Sequence, residues 1–186
     1  MLLLIDNFDS FSHILADYIK QTGKSIRIVR NDVSLDELTQ GSFEGIILSP
    51  GPETPAKAGN LMDILAYFQD KLPMLGVCLG HQAIGEFFGA KLVKGLSPVH
   101  GKVHKVFKKT DHPIFQHIPK EFEVTRYHSL ILQNLPSCIE TLLTTDQEEI
   151  MAIAHRDLPI VGIQYHPEAH LTQYGYQLIK NWVELL

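Results

Sequence analysis

The sequence predicts an α/β protein: an open, mostly parallel sheet with helices on both faces, extended by antiparallel strands in its C-terminal half. In the first half, short apolar runs without polar alternation take turns with apolar residues at helical spacing. That is the pattern of strands buried on both faces and joined by helical crossovers. In the second half, strand-like runs follow one another with prolines, rather than helices, between them. Between the halves, Leu72–Gly89 passes from an apolar stretch through a Gly-x-Cys-x-Gly turn into a helical pattern.

Taken in order, Leu2–Ile5 is an unbroken apolar run and reads as a buried strand. Asp6-Asn7-Phe8-Asp9-Ser10 is a polar turn rich in helix-capping residues. Phe11, Ile14, Leu15, Tyr18 and Ile19 then share a helical face, and Gly23 closes that helix. Ile26–Val29 predicts a second strand, Leu35 and Leu38 a short helix, and Gly45–Leu48 a third strand. The third strand ends at Ser49-Pro50-Gly51-Pro52, whose prolines exclude regular structure and place a loop at its carboxyl end. Leu61, Ile64, Leu65 and Phe68 line one face of a helix over Asn60–Gln69. Leu72–Val77 and Gln82–Phe88 give the next strand and helix. Strands are then expected at Ala90–Lys94, Lys102–Phe107, Phe122–Tyr127, Cys138–Thr144, Met151–His155 and Ile160–Tyr165. Leu171–Leu186 closes the chain as a helix with Tyr174, Leu178, Ile179 and Trp182 on one side.

Composition narrows the function classes. With 186 residues, 45% apolar and 20% charged, residues 1–186 are expected to form a single soluble domain without repeat or linker. A formal net charge of −5 argues against a general nucleic-acid binder. No apolar run approaches the ~20 residues of a membrane span. Met1–Ile5 is cut short by Asp6, so no signal peptide is expected. Two cysteines without a C-x-x-C pattern suit a reduced, cytoplasmic compartment.

The Gly76-Val77-Cys78-Leu79-Gly80 turn is where chemistry is expected. Glycines two residues either side of a nucleophile let the backbone swing sharply from strand to helix and push the side chain out at the carboxyl edge of the sheet. Cys78 would then sit at a helix N-terminus, which favours thiolate over thiol. Alone, such a cysteine reads as core. It needs a base and an orienter, and Tyr165-His166-Pro167-Glu168, after the apolar run Ile160–Ile163, offers both. The Leu79 N–H is one natural oxyanion donor, and the Gly51 loop can bring a second.

Together these segments resemble the class I, triad-type glutamine amidotransferases. The matching stretches are Ser49–Pro52, Gly76–Gln82, Arg126-Tyr127-His128-Ser129-Leu130 and Gly162–Glu168, in the family's order. Asp6–Phe11, His100-Gly101-Lys102, Tyr127–Leu130 and Leu171–Gly175 look like the chorismate branch, the small subunits of anthranilate synthase and aminodeoxychorismate synthase. The resemblance implies a flavodoxin-like fold. It implies that Cys78 attacks the side-chain amide of L-glutamine, that His166 moves the protons and that Glu168 orients His166. Backbone at Gly51 and Leu79 would form the oxyanion hole. Gln82 and Ser129, with backbone at Gly51, Leu79 and Leu130, would hold glutamine. Ammonia would pass to a separate chorismate-binding synthase subunit, since 186 residues leave no room for that domain. No cofactor or metal is expected in this chain, and Mg2+ only on the partner synthase. Alternatives are the glutaminase subunit of another ammonia-using synthase (guanylate or carbamoyl phosphate), a free γ-glutamyl hydrolase, or a low-activity scaffold subunit.

The chain departs from the branch at Glu53, where glycine is usual, and at Ala169, where serine is usual. Other residues get plainer readings. His81 and His128 are expected to hydrogen-bond locally, and Cys138 to be core. His100 and His104 lack the spacing of a metal site. Lys102, Lys105, Lys108 and Lys109 are read as a charged edge strand.

Overall fold

The computed structural model describes residues 1–95 and 98–186. Its main sheet is nine-stranded, in the order β2–β1–β3–β4–β11–β10–β9–β6–β7. These strands are β1 (Leu2–Asp6), β2 (Ile26–Arg30), β3 (Ile46–Leu48), β4 (Met74–Val77), β6 (Lys102–Lys108), β7 (Glu121–Arg126), β9 (Ile139–Thr145), β10 (Ile150–His155) and β11 (Ile160–Ile163). From β2 to β11 all pairings are parallel, and from β11 to β7 all are antiparallel. The predicted division into a parallel and an antiparallel half therefore runs through a single sheet, with β11 as its seam.

Successive residues of a strand face opposite sides, and β1 shows how that splits the interior. Leu2 and Leu4 join one core with Leu15 and Ile19 of α1 (Ser12–Gln21) and Leu178, Ile179 and Trp182 of α5 (Gly175–Glu184). Leu3 and Ile5 join the other with Leu61, Ile64 and Leu65 of α3 (Leu61–Phe68) and Ala83 and Ile84 of α4 (Leu79–Phe87). The short α2 (Leu35–Thr39) adds Leu38 to that second core and is capped by Ser34, whose hydroxyl accepts from the Glu37 N–H at 3.3 Å. Both faces of the parallel half are thus covered, which is why its strands read as continuous apolar runs.

The structure corrects several expectations. A strand not anticipated, β8 (Leu130–Gln133), pairs antiparallel with β5 (Lys91–Lys94) in a separate two-stranded ribbon. The predicted strand at Ala90–Lys94 therefore does not extend the main sheet. The helix after Cys78 begins at Leu79 rather than Gln82. The strand before His166 stops at Ile163 rather than Tyr165. The last helix starts at Gly175, because the preceding chain runs beside β7, with the Gln173 N–H donating to the Glu123 carbonyl at 2.9 Å. β6 is not an edge strand but lies between β9 and β7. Its lysines answer neighbours instead: Lys105 faces Glu121 at 3.5 Å, Lys108 reaches the Phe115 carbonyl at 2.9 Å, and Lys109 beyond it meets Glu148 at 2.8 Å. Cys138 is half-buried and precedes β9. Among the described residues, no helix is long and apolar enough to cross a membrane.

Candidate active site

The turn at Cys78 is strained and tightly packed. Its φ of 51° and ψ of −98° lie outside the regions L-residues ordinarily occupy. The neighbours hold it there. The Cys78 N–H donates to the Ile163 carbonyl at 2.8 Å, and its carbonyl accepts from the Gln82 N–H at 3.0 Å. A Cβ on Gly80 would lie 2.3 Å from the Leu48 carbonyl oxygen, and one on Gly76 2.5 Å from Gly80. Only glycines let α4 start this close to β3 and β4. Cys78 is left 7% exposed at the N-terminus of α4.

Because β11 pairs with β4 in register, Gly162 opposite Gly76 and Ile163 opposite Val77, the chain leaving β11 arrives beside Cys78. The His166 N–H then donates to the Thr125 carbonyl at 3.1 Å, and the Thr172 hydroxyl donates to the His166 carbonyl at 2.7 Å. The imidazole lies beside Cys78 and interacts with it, and its Nδ1 lies 2.6 Å from Glu168 Oε1. Burial works against charge on this ring, but the hydrogen bonds and charges of Cys78 and Glu168 outweigh it and push the pKa up to about 10. Phe11 and Tyr127 wall the imidazole, with ring centroids 5.5 and 5.1 Å away. Glu168 is buried, and its other oxygen, Oε2, has no hydrogen-bond partner among the described residues.

Gly51 comes up against Leu79: a Cβ on it would meet Leu79 Cδ2 at 2.7 Å and Asn7 Cβ at 2.5 Å. Buried Asn7 holds that loop. Its N–H donates to the Ser49 hydroxyl and its Nδ2 to the Ser49 carbonyl, both at 2.8 Å, and its Oδ1 accepts from Asn31 at 3.0 Å. The Leu79 N–H, first in α4, has no intrahelical acceptor. Glu53 takes φ 63°, the left-handed value that suits a glycine, and its carboxylate turns to Lys57 at 3.2 Å on the exposed surface.

Gln82 of α4 meets Leu130 at the start of β8, and Ser129 precedes that strand. Gln82 Nε2 donates to the Leu130 carbonyl at 3.2 Å and to Gln164 Oε1 at 3.3 Å, while Ser129 is exposed. Behind them, His128 Nδ1 meets the same Leu130 carbonyl at 2.9 Å, and His128 Nε2 accepts from Arg126 Nε at 3.0 Å. Arg126 is ion-paired with Glu149 at 2.6 Å, both buried. Burial, then the Arg126 charge, pulls the His128 pKa down to about 3. Burial brings His81 down to about 4, with the Gly162 backbone opposing the shift. Its ring presses on Gly162, the local backbone it was expected to meet.

Asn7, Phe11, Arg126 and Gln164 fall inside the matched stretches but were given no role in the site, and Asn31 and Glu149 were not singled out at all. Among the described residues, no group of three or more His, Cys, Asp or Glu could hold a metal ion. An apolar cleft of about 270 Å³ lined by Pro73, Pro159 and Trp182 lies at the amino end of the parallel strands, the wrong end for this chemistry.

Comparison with known proteins places the chain in context. The model of the family described as "Glutamine amidotransferase class-I" matches residues 3–185. The chain is 40% identical to the aminodeoxychorismate/anthranilate synthase component 2 of Bacillus subtilis (strain 168), over 99% of this chain and 96% of the relative. It is 42% identical to anthranilate synthase component 2 of Azospirillum brasilense, over 98% and 95%. It is 38% identical to aminodeoxychorismate synthase component 2 of Escherichia coli (strain K12), over 98% and 99%. Among solved structures, a Thermoplasma acidophilum protein provisionally assigned as part of a GMP synthase superposes with a TM-score of 0.88 at 27% identity, covering 99% of this chain and 92% of that one. A glutamine amidotransferase from Thermotoga maritima shares the fold, with a TM-score of 0.72 at 19% identity, covering 99% and 80%.

Proposed function

The chain belongs to the class-I glutamine amidotransferases, and on that premise we propose that it hydrolyses L-glutamine and feeds the ammonia to a separate chorismate-aminating synthase subunit. The observation that carries the mechanism is a buried imidazole beside Cys78 whose Nδ1 lies 2.6 Å from Glu168 Oε1.

Cys78 Sγ attacks the side-chain carbonyl carbon of glutamine, and the oxyanion settles on the N–H groups of Leu79 and Gly51. His166 gives its proton to the departing nitrogen, the C–N bond breaks, and ammonia leaves a glutamyl thioester. The neutral imidazole then takes a proton from water, whose oxygen attacks the thioester and releases glutamate and the thiolate. Glu168 holds the Nδ1 side of the ring throughout and balances its charge. Phe11 and Tyr127 keep bulk water off it. Gln82 and Ser129, with backbone at Gly51, Leu79 and Leu130, hold the amino-acid end of the substrate. Gln82 has its Nε2 committed to Leu130 and Gln164, which leaves its Oε1 to accept from the substrate ammonium. Exposed Glu53 plays no part in the reaction.

The partner reading rests on the relatives named as component 2 of such synthases. It gains from exposed Phe8 and Leu171, apolar residues on the loops after β1 and β11, at the same end of the sheet as Cys78. We read the chain as one catalytic domain without a cofactor of its own, working in the cytoplasm with Mg2+ confined to the partner synthase. The test is to isolate the chain with its bound partner and assay chorismate with glutamine or with ammonium. Cys78→Ala is expected to lower glutamine-dependent product at least about a thousandfold while ammonium-dependent product persists. Equal activity of both forms with glutamine would refute the role of Cys78. Product formed from another acceptor, such as a purine nucleotide, would move the chain to the alternative suggested by the Thermoplasma structure.

A further inference from the structure

Gln164 is wholly buried, just beyond β11 and two residues before His166, and the reaction above gives it no task. Its Nε2 stands 3.8 Å from Cys78 Sγ, within hydrogen-bonding reach of an acceptor as large as sulfur. Which end of this amide faces the sulfur is set from outside. The Leu130 carbonyl only accepts, so Gln82 must turn its Nε2 toward it, at 3.2 Å. The same Nε2 reaches Gln164 Oε1 at 3.3 Å. With its oxygen committed, Gln164 has only N–H to offer Cys78.

A second branch of donors ends on the same Leu130 carbonyl. Arg126 is a pure donor, so His128 Nε2, 3.0 Å from Arg126 Nε, must accept. That leaves the proton on His128 Nδ1, which donates to the Leu130 carbonyl at 2.9 Å. Arg126 is itself fixed by Glu149 at 2.6 Å. The ion pair thus fixes His128, and the two branches of donors meet at the Leu130 carbonyl, which takes N–H from both His128 and Gln82.

We infer that Gln164 holds the reactive sulfur, its Nε2–H donating to Cys78 Sγ and favouring the thiolate over the thiol. A thiol sulfur is a weak acceptor, whereas its anion is a good one, so a fixed donor stabilises the anion selectively. A flipped amide cannot substitute, because it would set the Gln164 N–H against the Gln82 N–H. The inference rests on Cys78 as the nucleophile and is independent of which amide it attacks.

The experiment is the pH dependence of Cys78 alkylation by iodoacetamide in the full chain, its Gln164→Met form and its Gln164→Glu form, with the modified cysteine identified by mass. Gln164→Met removes the donor and is expected to slow alkylation at neutral pH about tenfold, moving the profile about one unit upward. Gln164→Glu keeps the oxygen that meets Gln82 but sets a carboxylate against the sulfur, so its slowing is expected to exceed that of Gln164→Met. Profiles that superimpose on the parent overturn the inference, since a merely structural role would not move them. If neither variant folds, the Gln164 side-chain amide resonance of the parent decides. It must shift with the titration of Cys78, and an amide resonance indifferent to the thiol overturns the inference. Glutamine hydrolysis with superimposed profiles would sink this inference alone. Displaced profiles without glutamine hydrolysis would sink the proposed function and leave this one standing.

Discussion

Cys78 and Glu53 both stand at positive φ at the carboxyl end of the sheet, 51° and 63°, and opposite forces keep them there. Cys78 is buried between β4 and α4, its N–H tied to Ile163 and its flanking glycines in contact with backbone. Packing on every side fixes a conformation that costs on the order of 1–3 kcal/mol in isolation. Glu53 is exposed, and its charge partner Lys57 is 69% exposed, so that pair contributes little, about 0–1 kcal/mol. Strain at Cys78 is over-determined and serves to aim a sulfur. Strain at Glu53 belongs to a loop that solvent leaves free to relax.

The widest gap between the two turns should open at Gly80. Gly80→Ala would drive a methyl carbon to 2.3 Å from the Leu48 carbonyl oxygen, and backbone cannot step aside as a side chain can. A loss of about 3 kcal/mol in urea unfolding, with loss of Cys78 reactivity, is expected. A stable, reactive Gly80→Ala protein would mean that packing does not fix the turn. Cys78→Gly sharpens the comparison from the other side. Removing the side chain relieves the strain and adds chain entropy to the unfolded state, for a net gain of about 1 kcal/mol while turnover disappears. A less stable Cys78→Gly protein would show that the turn stores no strain. Smallest of all is Glu53→Gly, expected to shift stability by at most about 0.5 kcal/mol and to leave glutamine turnover unchanged. A large change in turnover would bring Glu53 back into the site.

The legible parts of this molecule were the local ones. The parallel half could be read because a strand covered on both faces must be apolar throughout, as Leu2–Ile5 and Ile46–Leu48 are. The turn at Cys78 could be read because its glycines act on neighbouring backbone. β8 could not, because Leu130–Gln133 is a short run that becomes a strand only by pairing with β5. The lysines of β6 suggested an edge because their charges are visible in the sequence and the strands on either side are not. The roles of Gln164 and of the Arg126–Glu149 pair could not be read, since each owes its bonds to segments far along the chain: Gln164 lies 86 residues from Cys78, and Arg126 lies 23 from Glu149.

By itself, then, the sequence determined the alternation of strand and helix, the sharp turn under Cys78 and the residue types available at strand ends. Periodicity and steric permission are properties of neighbours, so they survive in one dimension. Only the tertiary structure decided that β11 lies in register with β4 and brings His166 to the sulfur. It also turned the Glu53 carboxylate away and ordered a line of buried amides behind the nucleophile. Register and hydrogen-bond direction depend on which distant groups lose water together, and a buried donor takes whichever acceptor the closed fold leaves beside it.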